Sequence, residues 1–177
     1  MTAALDQTTL TDRFVTAFRN HPAGVALVTA DPGDGPVAMT ATSVCSVDAN
    51  PPTIAFSASA RSSSTPTLLR STHVVVHLLS AHQLHLAKLG STSGIDRFAD
   101  TSLWDRLPTG DIVFRDAAAW IRGRITGSLQ ATGATLFMVE GDEVGGVHAD
   151  PSRPVQVPLV YHSRAWHGLS SVSQIRD

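Results

Sequence analysis

Charge is scarce in this chain. Of 177 residues only 16% are Asp, Glu, Lys or Arg, and the formal net charge is −2 with the eight histidines counted as neutral. There is no basic surplus to neutralise a nucleic-acid backbone or to hold an acidic membrane face, so neither partner is expected. Cysteine is rarer still: Cys45 stands alone, which excludes an internal disulfide and suits a reducing compartment. No run approaches the roughly 20 apolar residues of a membrane span. Met1 to Asp6 carry neither the basic stretch nor the apolar stretch of a secretion signal, and a cytoplasmic location is expected. Gly-x-Ser-x-Gly, Gly-x-Gly-x-x-Gly and P-loop patterns are absent, which removes the motif support for a serine hydrolase, a Rossmann enzyme or an NTPase. His82 and His85 fall at i, i+3, but no Cys or acid follows at a ligand interval, so no metal site is expected.

What is present is apolar and strand-forming. Hydrophobic residues make up 42%, and a chain of this length forms one domain that can bury roughly 70% of its unfolded surface. The whole of 1–177 reads as that domain, with frayed ends at about 1–8 and 170–177. Leu10, Phe14, Ala17, Phe18 and His21 recur at helical spacing, which predicts a helix from about Thr9 to Pro22 that caps a barrel end. Val25–Thr29 and Val37–Ala41 flank the turn-rich Asp31–Pro36 and predict a hairpin. Ser43–Asp48, Thr53–Ser57, His73–Leu79, Ala117–Ser128, Thr135–Val144 and Val157–Tyr161 predict further strands. Two short helices interrupt them, over 65–70 and 80–89, and Leu103–Thr109 reads as an irregular connection. Short, closely spaced strands with turn signals between them favour a barrel over a parallel sheet.

The stretch from Val37 to Thr65 carries chemistry. Thr40, Thr42, Ser43 and Ser46 crowd one end; Ser57, Ser59, Ser62, Ser63, Ser64 and Thr65 crowd the other, beside Arg61. Small hydroxyl side chains on strand edges bring O–H and backbone N–H donors close to a phosphate, and one cation suits its charge. The same residues equally fill solvated turns. Cys45, between Val44 and Val47, is expected to be buried and inert. His73 and His77 are expected as satisfied core or interface groups. Arg122 and Arg124 are expected as surface charge, with pairing to acids across a subunit interface as the alternative, and His162 and His167 as packing beside Tyr161 and Trp166, with the border of a substrate pocket as the alternative.

The order of several segments resembles the flavin reductase-like family of FMN-binding split barrels, which includes the reductase components of two-component monooxygenases. The segments are Pro22–Ala30, Met39–Ser43, Ser46–Pro52, Arg61–Thr65, Val76–Ser80, Asp96-Arg97-Phe98 and Pro158–Tyr161, spread over roughly residues 12 to 168. The resemblance implies a mainly β fold, a Greek-key split β-barrel with a few short helices, assembled as a homodimer with flavin at the subunit interface. It implies that Met39, Thr40, Ala41, Thr42 and Ser43, together with Ser59, Arg61, Ser62, Ser63 and Ser64, bind the cofactor, FMN or FAD. Phe98 matches an aromatic near the cofactor, and Ala134, Thr135 and Tyr161 lie on the nicotinamide side. Many members carry Gly-Asp-His before a Thr-Leu-Phe strand; here the strand is Thr135-Leu136-Phe137, preceded by Thr132-Gly133-Ala134. Two functions therefore stay open. One is an NAD(P)H:flavin oxidoreductase that passes reduced flavin to a monooxygenase, with NADH or NADPH as co-substrate. The other is a flavin-binding protein of the same fold that does not oxidise NAD(P)H.

Overall fold

Short β-branched runs punctuated by Gly, Pro and Asp fold here as antiparallel strands. A computed structural model describes residues 3–115, 117–146 and 156–175. In chain order the elements are α1 (Ala3–Arg19), β1 (Ala23–Gly24), β2 (Ala26–Ala30), β3 (Val37–Ala41), β4 (Cys45–Ala49), β5 (Pro52–Ser59), α2 (Thr65–Arg70), β6 (His73–Leu78) and α3 (Leu84–Ser91). There follow β7 (Trp104–Arg106), β8 (Ile112–Phe114), β9 (Ala119–Gln130), β10 (Ala134–Gly145), β11 (Leu159–His162) and β12 (Ala165–Gly168). Seven strands form one sheet in the order β3-β2-β6-β9-β10-β5-β4; β1-β11-β12 form a second sheet, and β7-β8 a separate hairpin. The large sheet curls until β3 meets β5. The mainly β architecture with a few short helices agrees with the expectation.

Strand periodicity divides the interior into two apolar clusters. On one side of β2, Ala26, Val28 and Ala30 join Phe56, Ala58, Val74, Val76, Phe137 and Val139 inside the barrel. On its other side, Leu27 joins Leu86, Ala87, Phe114 and Leu159 beneath α3 and β11. That double burial explains why β2 reads as a continuous apolar run.

His77, in β6, is fully buried and joins three strands. Its Nε2 accepts from the Phe114 N–H at 3.0 Å, so Nδ1 carries the proton and donates to the Leu27 carbonyl at 2.9 Å. This agrees with its expected role as a satisfied core group. His73 differs: it is half-buried, with Nε2 3.6 Å from Asp142.

Several expectations need correction. Helix α1 begins at Ala3, not near Thr9, and its apolar face does not cap the barrel: Leu10, Phe14 and Phe18 are 69%, 60% and 61% exposed. The second inserted helix splits into a single turn at Ala81–Gln83 and α3, because Gln83 Oε1 accepts from the Ser80 N–H at 2.9 Å and fixes a tight start. Trp104 lies in the β7-β8 hairpin, not in an irregular connection, and the expected polar tail contains β12. Arg122 is not plain surface charge. Its side chain is 12% exposed, with Nε 2.6 Å from Asp111 and a terminal nitrogen 2.7 Å from Asp142.

Candidate active site

The hydroxyl-rich ends of the Val37–Thr65 stretch come together in the fold. The Ser64 hydroxyl, buried, donates to the Ala38 carbonyl of β3 at 3.0 Å. Thr65 Oγ1 donates to the Ser59 carbonyl at 2.7 Å, and the Arg61 N–H donates to Ser59 Oγ at 3.2 Å. The 60–64 loop is thus bound to both β3 and the end of β5. Beyond β3, the Ser57 N–H donates to Ser43 Oγ at 2.9 Å and the Ser43 hydroxyl donates back to the Ser57 carbonyl at 3.2 Å. One side chain completes both backbone groups of Ser57 where the strand ladder lapses.

Ser57 and Ser59 point to the same outer face of β5, about 7 Å apart by strand geometry. Across the ladder, Ala134 of β10 stands opposite Ser59, and Leu136 opposite Ser57. The Ala60 N–H donates to the Gly133 carbonyl at 3.0 Å, so the segment that replaces Gly-Asp-His adjoins the Arg61–Ser64 loop. At the Ser57 end this face opens into a cavity of about 950 Å³. Thr42, Ser43, Cys45 and Ser57 form one wall; Phe18, Arg19, His21 and Gly24 form a second; Tyr161, His162, Ser163 and Arg164 form a third. No carboxylate lines it among the described residues. Tyr161 is held in place by Trp166, ring centroids 4.7 Å apart.

The anticipated residues fall into three groups. Thr42, Ser43 and Tyr161 border the cavity; Ser59, Arg61, Ser62, Ser63 and Ala134 gather along β5 and the following loop. The rest are occupied by the fold. Met39 and Ala41 are buried side chains of β3, and Ser64 and Thr135 are buried as well. Thr40 Oγ1 donates to the Ala87 carbonyl at 2.6 Å and seats α3 on β3, where Gly90 leaves room: a Cβ on Gly90 would lie 2.5 Å from Thr40 Oγ1. Phe98 packs in the second apolar cluster, 5.8 Å from Phe114 and 6.0 Å from Trp104, and is not among the cavity walls. Cys45, expected to be buried, is exposed on edge strand β4, whose five residues are all exposed. Sequence reasoning missed Arg19, His21, Ser163 and Arg164. Their proximity depends on the β11-β12 hairpin meeting the end of α1, a contact between residues more than 140 positions apart that leaves no local signal.

The split barrel bears a hydroxyl face, an arginine in no ion pair beside it and an aromatic-walled cavity with no acid in its lining, all among the described residues. The chain belongs to the flavin reductase-like domain family, whose model matches residues 18–170. An NADH:FMN oxidoreductase of Rhodococcus qingshengii is 38% identical over 159 residues, covering 89% of this chain and 81% of that protein. An FMN reductase (NADH) RutF of Stutzerimonas stutzeri is 31% identical, covering 88% and 86%. Among solved structures, a flavin reductase domain protein from Arthrobacter sp. FB24 superposes with a TM-score of 0.82 at 31% identity, covering 90% of this chain and 96% of the other. BorF, the flavin reductase component of a bacterial two-component tryptophan halogenase, gives 0.77 at 27%, covering 90% and 98%.

Proposed function

We propose that this protein is an NADH-dependent flavin reductase that takes FMN, with FAD as the other candidate, and hands the reduced flavin to a separate monooxygenase in the cytoplasm. The observation that carries the reading is the unbroken hydroxyl face of β5, which runs from the Arg61–Ser63 loop past Ser59 and Ser57 into the cavity. Its residues fit the ligand. Arg61 forms no ion pair among the described residues and is free to meet a phosphate, whereas Arg70, Arg106, Arg115, Arg122 and Arg124 are all committed to carboxylates. A bound flavin would supply the two-electron acceptor that no side chain provides. The chain's part is to bind and orient. Ser62, Ser63 and Arg61 would hold the phosphate, Ser59 and Ser57 would border the ring, and Ala134 leaves the facing position uncharged.

The second reading, flavin binding without NADH oxidation, rests on Ala134, which offers no titratable group where the resemblance to the family implies a histidine. Transfer of hydride between stacked rings relies on placement more than on a side-chain proton donor, so the first reading is preferred. Anaerobic stopped-flow absorbance separates the two. With NADH, protein should bleach the oxidised flavin band much faster than buffer does. Quenched flavin fluorescence without bleaching would favour the second reading, and neither effect would remove both.

The exposed face of α1 supports a homodimer, because Leu10 and Phe14 are 69% and 60% exposed and form an apolar stripe that nothing among the described residues covers. Edge strand β4, exposed throughout and carrying Val47 at 52% exposure, adds a second uncovered surface. Analytical ultracentrifugation is expected to find a dimer for the natural protein and a monomer for the Leu10→Asp, Phe14→Asp double variant. A monomeric natural protein would refute the assembly.

A further inference from the structure

The flavin reading uses one side of the cavity and leaves the opposite side unexplained. On that side the end of α1 and the tip of the β11-β12 hairpin are fastened together. The Ser163 N–H donates to the Arg19 carbonyl at 2.9 Å, and the Ser163 hydroxyl lies 3.5 Å from Asn20 Oδ1. His162 pairs with Ala165, so the hairpin turns on only two residues, Ser163 and Arg164. Both have positive φ, 51° and 64°, a conformation that side chains rarely adopt outside such tight turns. The turn brings Arg164 to the cavity that Arg19 also lines.

Neither Arg19 nor Arg164 forms an ion pair among the described residues, and no carboxylate lines the cavity to neutralise them. His21 and His162 add two further nitrogen donors or acceptors on the same side, and Phe18 and Tyr161 supply exposed or half-buried aromatic surface between them. The volume lies at the upper end of the roughly 300–1,000 Å³ usual for small-molecule pockets. Two guanidinium groups on adjoining walls of one cavity, neither in an ion pair among the described residues, call for an anion with more than one phosphate, since each can grip a separate phosphate through paired N–H donors. The adjoining aromatic surface calls for a heteroaromatic ring attached to it.

From this we infer that Arg19 and Arg164 form a subsite for the pyrophosphate bridge of a dinucleotide, with Phe18 and Tyr161 against its adenine end. The inference rests on the flavin reductase reading and adds to it: the mononucleotide phosphate belongs to the Arg61 loop, and the diphosphate belongs to this wall. Two ligands share that chemistry, the nicotinamide dinucleotide and FAD.

Isothermal titration calorimetry with NAD+, ADP-ribose, FAD and FMN, without turnover, tests the subsite in the natural protein and in Arg19→Gln and Arg164→Gln. Each substitution should weaken dinucleotide binding about tenfold or more, the scale of a lost charge-assisted hydrogen bond, and leave FMN unchanged. Arg164→Lys should recover part of the affinity. Added salt should weaken the natural protein more than the variants. Loss confined to NAD+ and ADP-ribose assigns the subsite to the nicotinamide dinucleotide, loss confined to FAD assigns it to the flavin, and loss of both supports the shared chemistry. Unchanged binding of every ligand, no binding of any dinucleotide by the natural protein, or equal weakening of FMN would overturn the subsite. Unchanged thermal midpoints in the variants establish that the effect is on binding. A natural protein that binds dinucleotides but never reduces flavin would sink the reductase reading and leave this subsite standing.

Discussion

Between pH 6.5 and pH 4 the protein should lose about 3 kcal/mol of stability through His77 alone. Burial lowers the pKa of this histidine from 6.5 to about 4, against a smaller opposite pull from the Leu27 carbonyl. The folded-state value lies below the unfolded one, so the unfolded chain takes up the proton first and acid favours unfolding. The contribution is complete above about pH 6.5, shrinks by about 1.4 kcal/mol per pH unit as pH falls, and is gone near the folded value of about 4. The geometry gives the same sign: protonating Nε2 would set a donor against the Phe114 N–H at 3.0 Å. Urea titrations at pH 7, 6, 5 and 4.5, with His77→Leu alongside, isolate the effect. The variant should start lower at pH 7 by roughly 1–3 kcal/mol for each of the two backbone groups left unpaired. It should also show a shallower slope below pH 6.5. Equal slopes in the two proteins would show that His77 is not the titrating group.

Phe137→Ala should cost about 3–5 kcal/mol, a large part of the 5–15 kcal/mol that holds a typical domain together. Phe137 is 1% exposed and faces Phe56 across the β10-β5 ladder, the rings 5.1 Å apart and 14° from parallel. Phe137 belongs to the same buried cluster as Val28, Val76, Ala58 and Val139, so its removal leaves a cavity inside the barrel. The neighbouring Leu136 is a built-in control. It points to the other side of the same strand and is 40% exposed, so Leu136→Ala should cost less than about 1 kcal/mol. Equal losses from the two substitutions would mean that the interior is not where the strand alternation places it.

Much of this architecture is visible in the chain itself because strand periodicity and turn residues are local. Val37–Ala41, His73–Leu78 and Ala119–Gln130 announce themselves by β-branched content, and the residues of Asp31–Pro36 punctuate them. The continuous apolar run of β2 was legible as a strand, but not the reason for it, since burial on both sides depends on α3 and β11 arriving from far along the sequence. Cys45 misled for a related cause: apolar neighbours suggest an interior, but whether an edge strand has a cover is decided by the rest of the fold. Arg122 misled in the opposite direction, as its carboxylate partners Asp111 and Asp142 come from different elements.

The site divides in the same way. The hydroxyls of the 59–64 loop could be read from composition. Which of them are free could not, because Ser64 is taken by the carbonyl of Ala38, from another part of the chain, as Thr40 on β3 is by that of Ala87. The departure at Ala134 was readable from one short segment, and the structure adds that it lies opposite Ser59. The arginines of the far wall were invisible, since a helix end and a hairpin tip carry no mark of their meeting.

Strand β2 lends alternate side chains to both apolar clusters, and its backbone accepts the His77 proton at Leu27. Neither cluster can come apart while the other keeps its seal, because the same five residues would have to be present and absent at once. The barrel and the layer that carries α3 and the β11-β12 hairpin therefore melt together, and a ligand that tightens the cavity wall lends its binding free energy to the far side of the molecule as well.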